Sequence, residues 1–179
     1  NWSWEFGDGT PIDNTQNPTH VFSLIGNYNI IFIIQKGAGC SDTIVKPITV
    51  NTVPTPLFTA NTSCEGAVTS FTDLSTDVVA IANWFWDFDD GNNSVSQNPG
   101  YIYMAAGTFN VSLTVTNING CDSTFTLPVI VNVSPMAGYT ADTVCIGSAT
   151  TFTDSSAGNP TQWQWNFGDG NIGTTGPVI

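Results

Sequence analysis

One aromatic phrase is written three times along this chain: Trp2-Ser-Trp-Glu-Phe-Gly-Asp-Gly9, Trp84-Phe-Trp-Asp-Phe-Asp-Asp-Gly91 and Trp163-Gln-Trp-Asn-Phe-Gly-Asp-Gly170. The copies start 82 and 79 residues apart, too far for a solenoid and suited to a small domain recurring in tandem. Within each copy the two Trp and the Phe fall on alternate positions, so on a strand they share one face. The expected core set is therefore Trp2, Trp4 and Phe6, then Trp84, Trp86 and Phe88, then Trp163, Trp165 and Phe167. Gly-Asp-Gly ends two of the copies and suits a tight turn, because glycine accepts positive φ and aspartate bonds nearby backbone. The repeat divides the chain into the C-terminal part of one unit (1–53), a complete unit (54–134) and the N-terminal part of a third (135–179). Such a chain is expected to belong to a longer array.

The composition excludes several function classes. Apolar residues make up 41% and aromatics 12%, enough to fill a core in each unit, so disorder is not expected. Two basic residues stand against fourteen acidic ones, a net charge of −12, which repels phosphate backbones and anionic lipid surfaces. Nucleic acid is thereby excluded as a partner. The longest apolar run, Ile30 to Ile34, is of strand length, so no membrane insertion is expected in this segment.

The complete unit reads as strands joined by turns. Leu57 to Ala60 and Ala67 to Asp73 flank a Cys64-Glu-Gly66 turn, and the aromatic strand follows. Pro18 and Pro99 lie in matching Gln-Asn-Pro segments and mark a turn into an edge segment. Gly107 to Val115 alternates cleanly, with Phe109, Val111, Leu113 and Val115 inward. Its counterpart, Gly26 to Ile34, is apolar on both faces through Ile31 and Ile33 and suggests a packed neighbour. Asn117-Ile-Asn-Gly-Cys121 turns into a last strand, Asp122 to Val131, as Ser41 to Val50 does in the first copy. The linkers Asn51-Thr-Val-Pro54 and Asn132-Val-Ser-Pro135 are short and end in proline, which stiffens them. No helical periodicity appears. The fold expected is all-β, a series of two-sheet sandwiches of about seven strands each, arranged end to end.

Four of these features together resemble the PKD (polycystic kidney disease) repeat: the aromatic strand ending in Gly-Asp-Gly, the Asn-Pro-x-His/Tyr segment, the Gly-x-Tyr/Phe strand and the Asn-x-x-Gly-Cys hairpin. The variant with Cys-x-Gly before the second strand and Gly-Cys in the last hairpin is similar to tandem repeats of giant Bacteroidetes surface proteins, including gliding-motility adhesins. That resemblance implies an Ig-like fold, an extracellular cell-surface location and an adhesive, non-catalytic role. The middle copy departs from the pattern with Phe88-Asp-Asp-Gly91.

Chemistry is sparse. Asp87, Asp89 and Asp90 put three carboxylates within four residues, a candidate calcium site, although turn carboxylates on a surface need no metal and no downstream acid completes an EF-hand. No other cofactor is implied. Cys40 and Cys121 are 81 residues apart, as are Cys64 and Cys145. Their wide separation argues against zinc and, in a Ser/Thr/Asn-rich chain, for disulfides. Within one sandwich Cys64 and Cys121 are expected at opposite poles, beyond the about 7 Å that a disulfide spans between Cα atoms. Links between neighbouring repeats are therefore favoured. His20 matches Tyr101 of the middle copy, so aromatic packing explains both, and no nucleophile–base pair recurs. Asn-x-Ser/Thr occurs at Asn1, Asn61, Asn92, Asn110 and Asn132. Asp-Ser/Thr-apolar patterns resembling Bacteroidetes O-glycosylation sites single out Thr43, Ser123 and Thr143.

The role expected is a stiff spacer or filament that presents a binding region from the cell surface, with neighbouring repeats and a surface polysaccharide or protein as partners. The alternative is a carbohydrate-binding accessory module of a secreted polysaccharide-degrading enzyme, with Phe85 as its contact. A self-assembling fibre, in which a partial repeat borrows strands from a neighbour, is a third expectation.

Overall fold

The structure, a computed structural model, describes residues 1–37 and 39–174. Among them are fifteen strands and no helix. In the first repeat β1 (Trp2–Glu5), β2 (Gly26–Lys36) and β3 (Cys40–Val50) form a sheet in that order. β1 sets Trp2 opposite Ile34 and Trp4 opposite Phe32. β2 and β3 pair antiparallel over their full lengths, from Gly26 opposite Val50 to Lys36 opposite Cys40. β-branched residues sustain so long a ladder because they pack well on a pleated surface.

The complete repeat holds β4 (Phe58–Ala60), β5 (Ser63–Cys64), β6 (Val68–Asp73), β7 (Ile81–Asp87), β8 (Asn93–Ser94), β9 (Gly100–Ile102), β10 (Gly107–Asn117) and β11 (Asp122–Asn132). They make a three-stranded sheet, β4-β6-β9, and a five-stranded one, β5-β11-β10-β7-β8. This is the all-β, Ig-like sandwich, with eight strands where about seven were expected. β9 follows Pro99 and lies at a sheet edge, where a missing N–H removes no ladder bond. In the third repeat β12 (Tyr139–Ala141) pairs with β13 (Phe152–Asp154), and β14 (Trp165–Asn166) with β15 (Ile172–Gly173).

By their internal contacts the residues gather into two compact units. One joins Asn1–Leu57, Leu74–Trp86 and Leu113–Phe125, and the other Phe58–Asp73, Asp87–Ser112 and Thr126–Ile179. In the first unit Trp4 stacks on Phe32 with ring centroids 3.9 Å apart, and Trp86, Leu113 and Val115 have no exposed surface. In the second, Phe58, Phe71 and Phe88 are buried in a tilted series, Phe71 lying 5.3 Å from Phe88, and Tyr103 stacks on Phe109 at 4.1 Å.

Burial follows the alternation only where the repeat is complete. Trp86 and Phe88 are fully buried and Trp84 half-buried, while Phe85 between them is 47% exposed. In the partial repeats Phe6 is buried and Trp4, Trp163 and Trp165 half-buried, but Trp2 and Phe167 lie open. The strands that cover such positions in the complete repeat have no counterpart in those partial ones among the described residues. Ile31 and Ile33, on the second face of β2, are half-buried.

The Cys64 segment also differs from expectation. It was read as part of a turn, yet Ser63 and Cys64 form a strand parallel to the end of β11, opposite Val131 and Asn132. A bond from the Glu65 N–H to the Asn132 carbonyl, 2.9 Å, extends the pairing. Two residues give no periodicity, so this strand is recognisable only from its partner.

Replacing Trp86 by alanine is expected to cost about 3–5 kcal/mol, while Phe85→Ala stays within about 0.5 kcal/mol. Urea unfolding midpoints of the two variants check the difference.

Candidate functional site

The turn after the aromatic strand is where chemistry was expected. Asp89 takes a left-handed backbone, φ 62°, at the position of Gly7 (φ 76°) and Gly168 (φ 81°). Aspartate tolerates that region better than most residues, and here its side chain gains a partner: Oδ2 accepts the Asn110 N–H at 2.8 Å. At Gly7 an added Cβ would meet the carbonyl oxygen of Asn29, the counterpart of Asn110, at 3.0 Å.

The other carboxylates are likewise engaged. Asp87 Oδ1 accepts the Asp89 N–H at 3.0 Å. Asp90 Oδ1 accepts the backbone and side-chain N–H of Asn92 at 3.1 and 3.2 Å, and its Oδ2 accepts the Tyr101 hydroxyl at 2.5 Å. The three acids thus turn toward three different sets of protein donors. Among the described residues no group of three His, Cys, Asp or Glu is gathered as a metal site would be, and the structure does not bring Asp87, Asp89 and Asp90 together as ligands.

Sequence reasoning missed a second role of the turn aspartate. Tyr101, held by Asp90, lies flat on Phe88 at 4.0 Å and 10° and meets Tyr103 edge-on at 4.8 Å. The first repeat builds the same unit with different atoms. His20 lies flat on Phe6 at 3.9 Å and 3°, meets Phe22 edge-on at 4.6 Å, and its Nε2 is 2.7 Å from Asp8 Oδ2. Aromatic packing at this position is joined in both repeats by a bond to the turn carboxylate. The readable signal was that both aromatics, eleven or twelve residues past the aspartate, carry a polar tip. In the third repeat Asp169 bonds only within its turn, to the Asn171 backbone and side chain at 2.9 and 3.0 Å.

These bonds move the titrations. Thr10 first, and then His20, hold the Asp8 carboxyl down at about 2. Burial, then the Asp90 bond, raises the Tyr101 hydroxyl, and burial chiefly raises that of Tyr103, which donates to the Phe88 carbonyl at 3.2 Å.

Two further clusters hold the linkers. In the first unit Asn117 is 2% exposed and donates through Nδ2 to the Thr52 carbonyl at 3.0 Å and to Asp77 Oδ2 at 2.8 Å. Thr52 Oγ1 donates to Asp77 Oδ1 at 2.8 Å, and Asn117 Oδ1 accepts the N–H groups of Asn119 and Cys121, both at 3.0 Å. The Asp77 carboxyl is held below the usual range, chiefly by Asn117. In the second unit Glu65 accepts the Ser134 N–H at 3.3 Å and the Ala106 N–H at 2.9 Å on its two oxygens, and its carbonyl accepts the Ser134 hydroxyl at 2.8 Å.

All four cysteines are free thiols, Cys40 and Cys145 exposed, Cys64 and Cys121 partly covered. Cys64 pairs beside Asn132, the last residue of β11, and Cys121 immediately precedes its first, Asp122. Of the glycosylation candidates, Thr43 and Thr143 are exposed and Ser123 half-buried.

The family model of the PKD domain matches residues 1–52 and again 51–131, well over half of the 179 residues. The chain belongs to the PKD domain family. Among its relatives is a microbial collagenase of Vibrio alginolyticus, 33% identical over 85 residues, which are 46% of this chain and 10% of the collagenase. The match therefore spans about a tenth of that relative's length. Two solved PKD domains are also similar. The PKD1 domain of Vibrio anguillarum Epp is 31% identical, covering 48% of this chain and 100% of that one with a TM-score of 0.45. The PKD1 domain of the Vibrio cholerae metalloprotease PrtV is 27% identical, with 45% and 98% covered and a TM-score of 0.43. None of the described residues forms a helix long and apolar enough to cross a membrane.

Asp89→Ala in this PKD repeat is expected to cost about 1–2 kcal/mol, since it keeps a Cβ in the left-handed region and loses the Asn110 bond. Asp89→Gly exchanges the bond for relief of strain and stays within about 1 kcal/mol of the parent, again by urea midpoint. Asp8, lowered on folding, stabilises the first repeat fully above its unfolded value near 4, and the contribution is lost as pH falls toward about 2. An acid titration of tertiary circular dichroism should show this loss, and Asp8→Asn should abolish that component.

Proposed function

We propose that this chain is a non-catalytic structural and adhesive segment of a long extracellular repeat protein, a stiff spacer that presents a binding region from a cell surface. The observation that carries the reading is that both linkers are fastened into a repeat: Thr52 by Asn117 and Asp77, and Ser134 by Glu65. A linker held by buried amide and carboxylate groups loses the freedom that a Ser/Thr-rich tether would keep. Spare chemistry is scarce in the signature turns, where the carboxylates already accept protein donors. The sequence resemblance to Bacteroidetes gliding adhesins supplies the adhesive part, and a surface polysaccharide or protein is the partner class it implies.

A second reading rests on Phe85, an aromatic left 47% exposed on the strand whose neighbour Trp86 is buried. An exposed ring is a ready stacking face for a sugar, which fits an accessory module of a secreted polysaccharide-degrading enzyme. Retention on insoluble polysaccharides that is lost in Phe85→Ala would favour this reading over the spacer.

The spacer reading is tested by amide hydrogen exchange across residues 51–55. Slow exchange is expected in the parent protein, with acceleration of about tenfold in Asn117→Ala, the equivalent of about 1.4 kcal/mol. Linker amides that exchange at unstructured-peptide rates in the parent would sink it.

A further inference from the structure

Positions that the complete repeat buries stand open in the two partial repeats, and the two open sets are complementary. Ile30, Phe32 and Ile34 of β2 occupy the places of Val111, Leu113 and Val115 in β10. The latter are 0% exposed, whereas Ile30 and Phe32 are only half-buried and Ile34 is 42% exposed. The first repeat has the long hairpin but, among the described residues, no counterpart of β4, β5 and β6. The third repeat has the reverse. Its β12 and β13 correspond to β4 and β6, with no counterpart of the β10–β11 hairpin among the described residues. There Tyr139 is 64% exposed and lines an open cleft of about 420 Å³ with Phe152 and Trp165, while the matching Phe58, Phe71 and Trp86 are at 0–1%.

Charge divides the same way. Both lysines of the chain, Lys36 and Lys46, and its one histidine lie in 1–53, whereas 135–179 has Asp142, Asp154 and Asp169 and no basic residue.

We propose that the β12–β13 hairpin of one copy of this chain completes the first repeat of a second copy. The contact is head-to-tail, so each copy offers one donor and one acceptor and the assembly propagates. The complete repeat supplies the register. β6 pairs with β9 as Val68–Ile102, Thr69–Tyr101 and Ser70–Gly100, which transfers to Ala149–Val21, Thr150–His20 and Thr151–Thr19 between copies. β3 is an edge strand, and its end takes Val144 and Cys145 beside Val50 and Asn51, as β11 takes Ser63 and Cys64. Aromatic side chains offer about 150–250 Å² each when fully covered. With two strand edges paired as well, the contact removes on the order of 1,000 Å² from water, the size that a specific interface needs. The inference does not depend on the spacer reading, whose linkers are probed separately by exchange.

The test is size-exclusion chromatography with light scattering on the parent chain and on Phe32→Asp and Phe152→Asp, alone and mixed. The parent should grow in mass with concentration, and each variant, lacking either acceptor or donor, should be monomeric. An equal mixture should give a one-to-one dimer and nothing larger, because Phe32→Asp keeps its donor and Phe152→Asp its acceptor. Unfolding of one half-repeat by its own substitution leaves this outcome unchanged, since the mixture uses the other half. A parent that stays monomeric up to its solubility limit, variants that assemble as the parent does, or a mixture that remains monomeric would each overturn the proposal.

Discussion

The repeat depends on a carboxylate that does two things at once. Asp90 closes the turn after the aromatic strand through Asn92, and with its other oxygen fixes the hydroxyl of Tyr101, whose ring covers Phe88. A turn is local, but Tyr101 belongs to β9, which pairs with β6, and the Pro99 carbonyl just before it accepts the Phe71 N–H at 2.9 Å. One side chain thereby ties the end of the signature strand to the opposite sheet of the second unit. Buried aromatic stacking supplies most of the energy and the hydrogen bonds select one arrangement of the rings.

The first repeat reaches the same result with imidazole in place of phenol. Both groups are flat, both can donate from the tip, and both lie parallel to the phenylalanine below, at 3.9 and 4.0 Å. Their interchange rules out catalysis as the reason for the histidine, because a phenol does not replace an imidazole as a base at neutral pH. The substitution at Asp89 is different in kind. It adds a Cβ in a left-handed position that glycine fills in the other copies, and the Asn110 bond offsets that strain. The departure is a local structural variant, with its carboxylate already engaged.

Much of the fold was legible because its signals are periodic or covalent. Alternation in β7 and β10 predicted the inward faces, the Asn-Gly turn predicted the hairpin, and Pro99 predicted an edge. What escaped has no period. β5 is two residues long and exists through its partner β11, and β8 is equally short. The alternation of Trp2 and Phe167 was read correctly as a strand face, but their burial depends on segments outside their own strands, so both remain open. The site was legible only in part. Three neighbouring aspartates suggested a shared ligand, whereas left-handed backbone at Asp89 and the reach of Asp90 to Tyr101 separate their partners. Sequence proximity of acids is weak evidence for a site because a turn rotates successive side chains apart.

Linker stiffness in this chain is a property of individual junctions and not of the repeat pattern. Asn117 grips Thr52, but the matching position of the first repeat is Lys36, and the matching place in the second linker is Val133. Glu65 grips Ser134, but the third repeat has Ile146 there, fully exposed. Core aromatics recur among the copies because every sandwich must bury the same layer. Linker contacts are free to differ, because each involves one pair of repeats. An array built this way can be stiff at one junction and yielding at the next without any change in its sandwiches, so flexibility along it is set by a few polar side chains near the linkers.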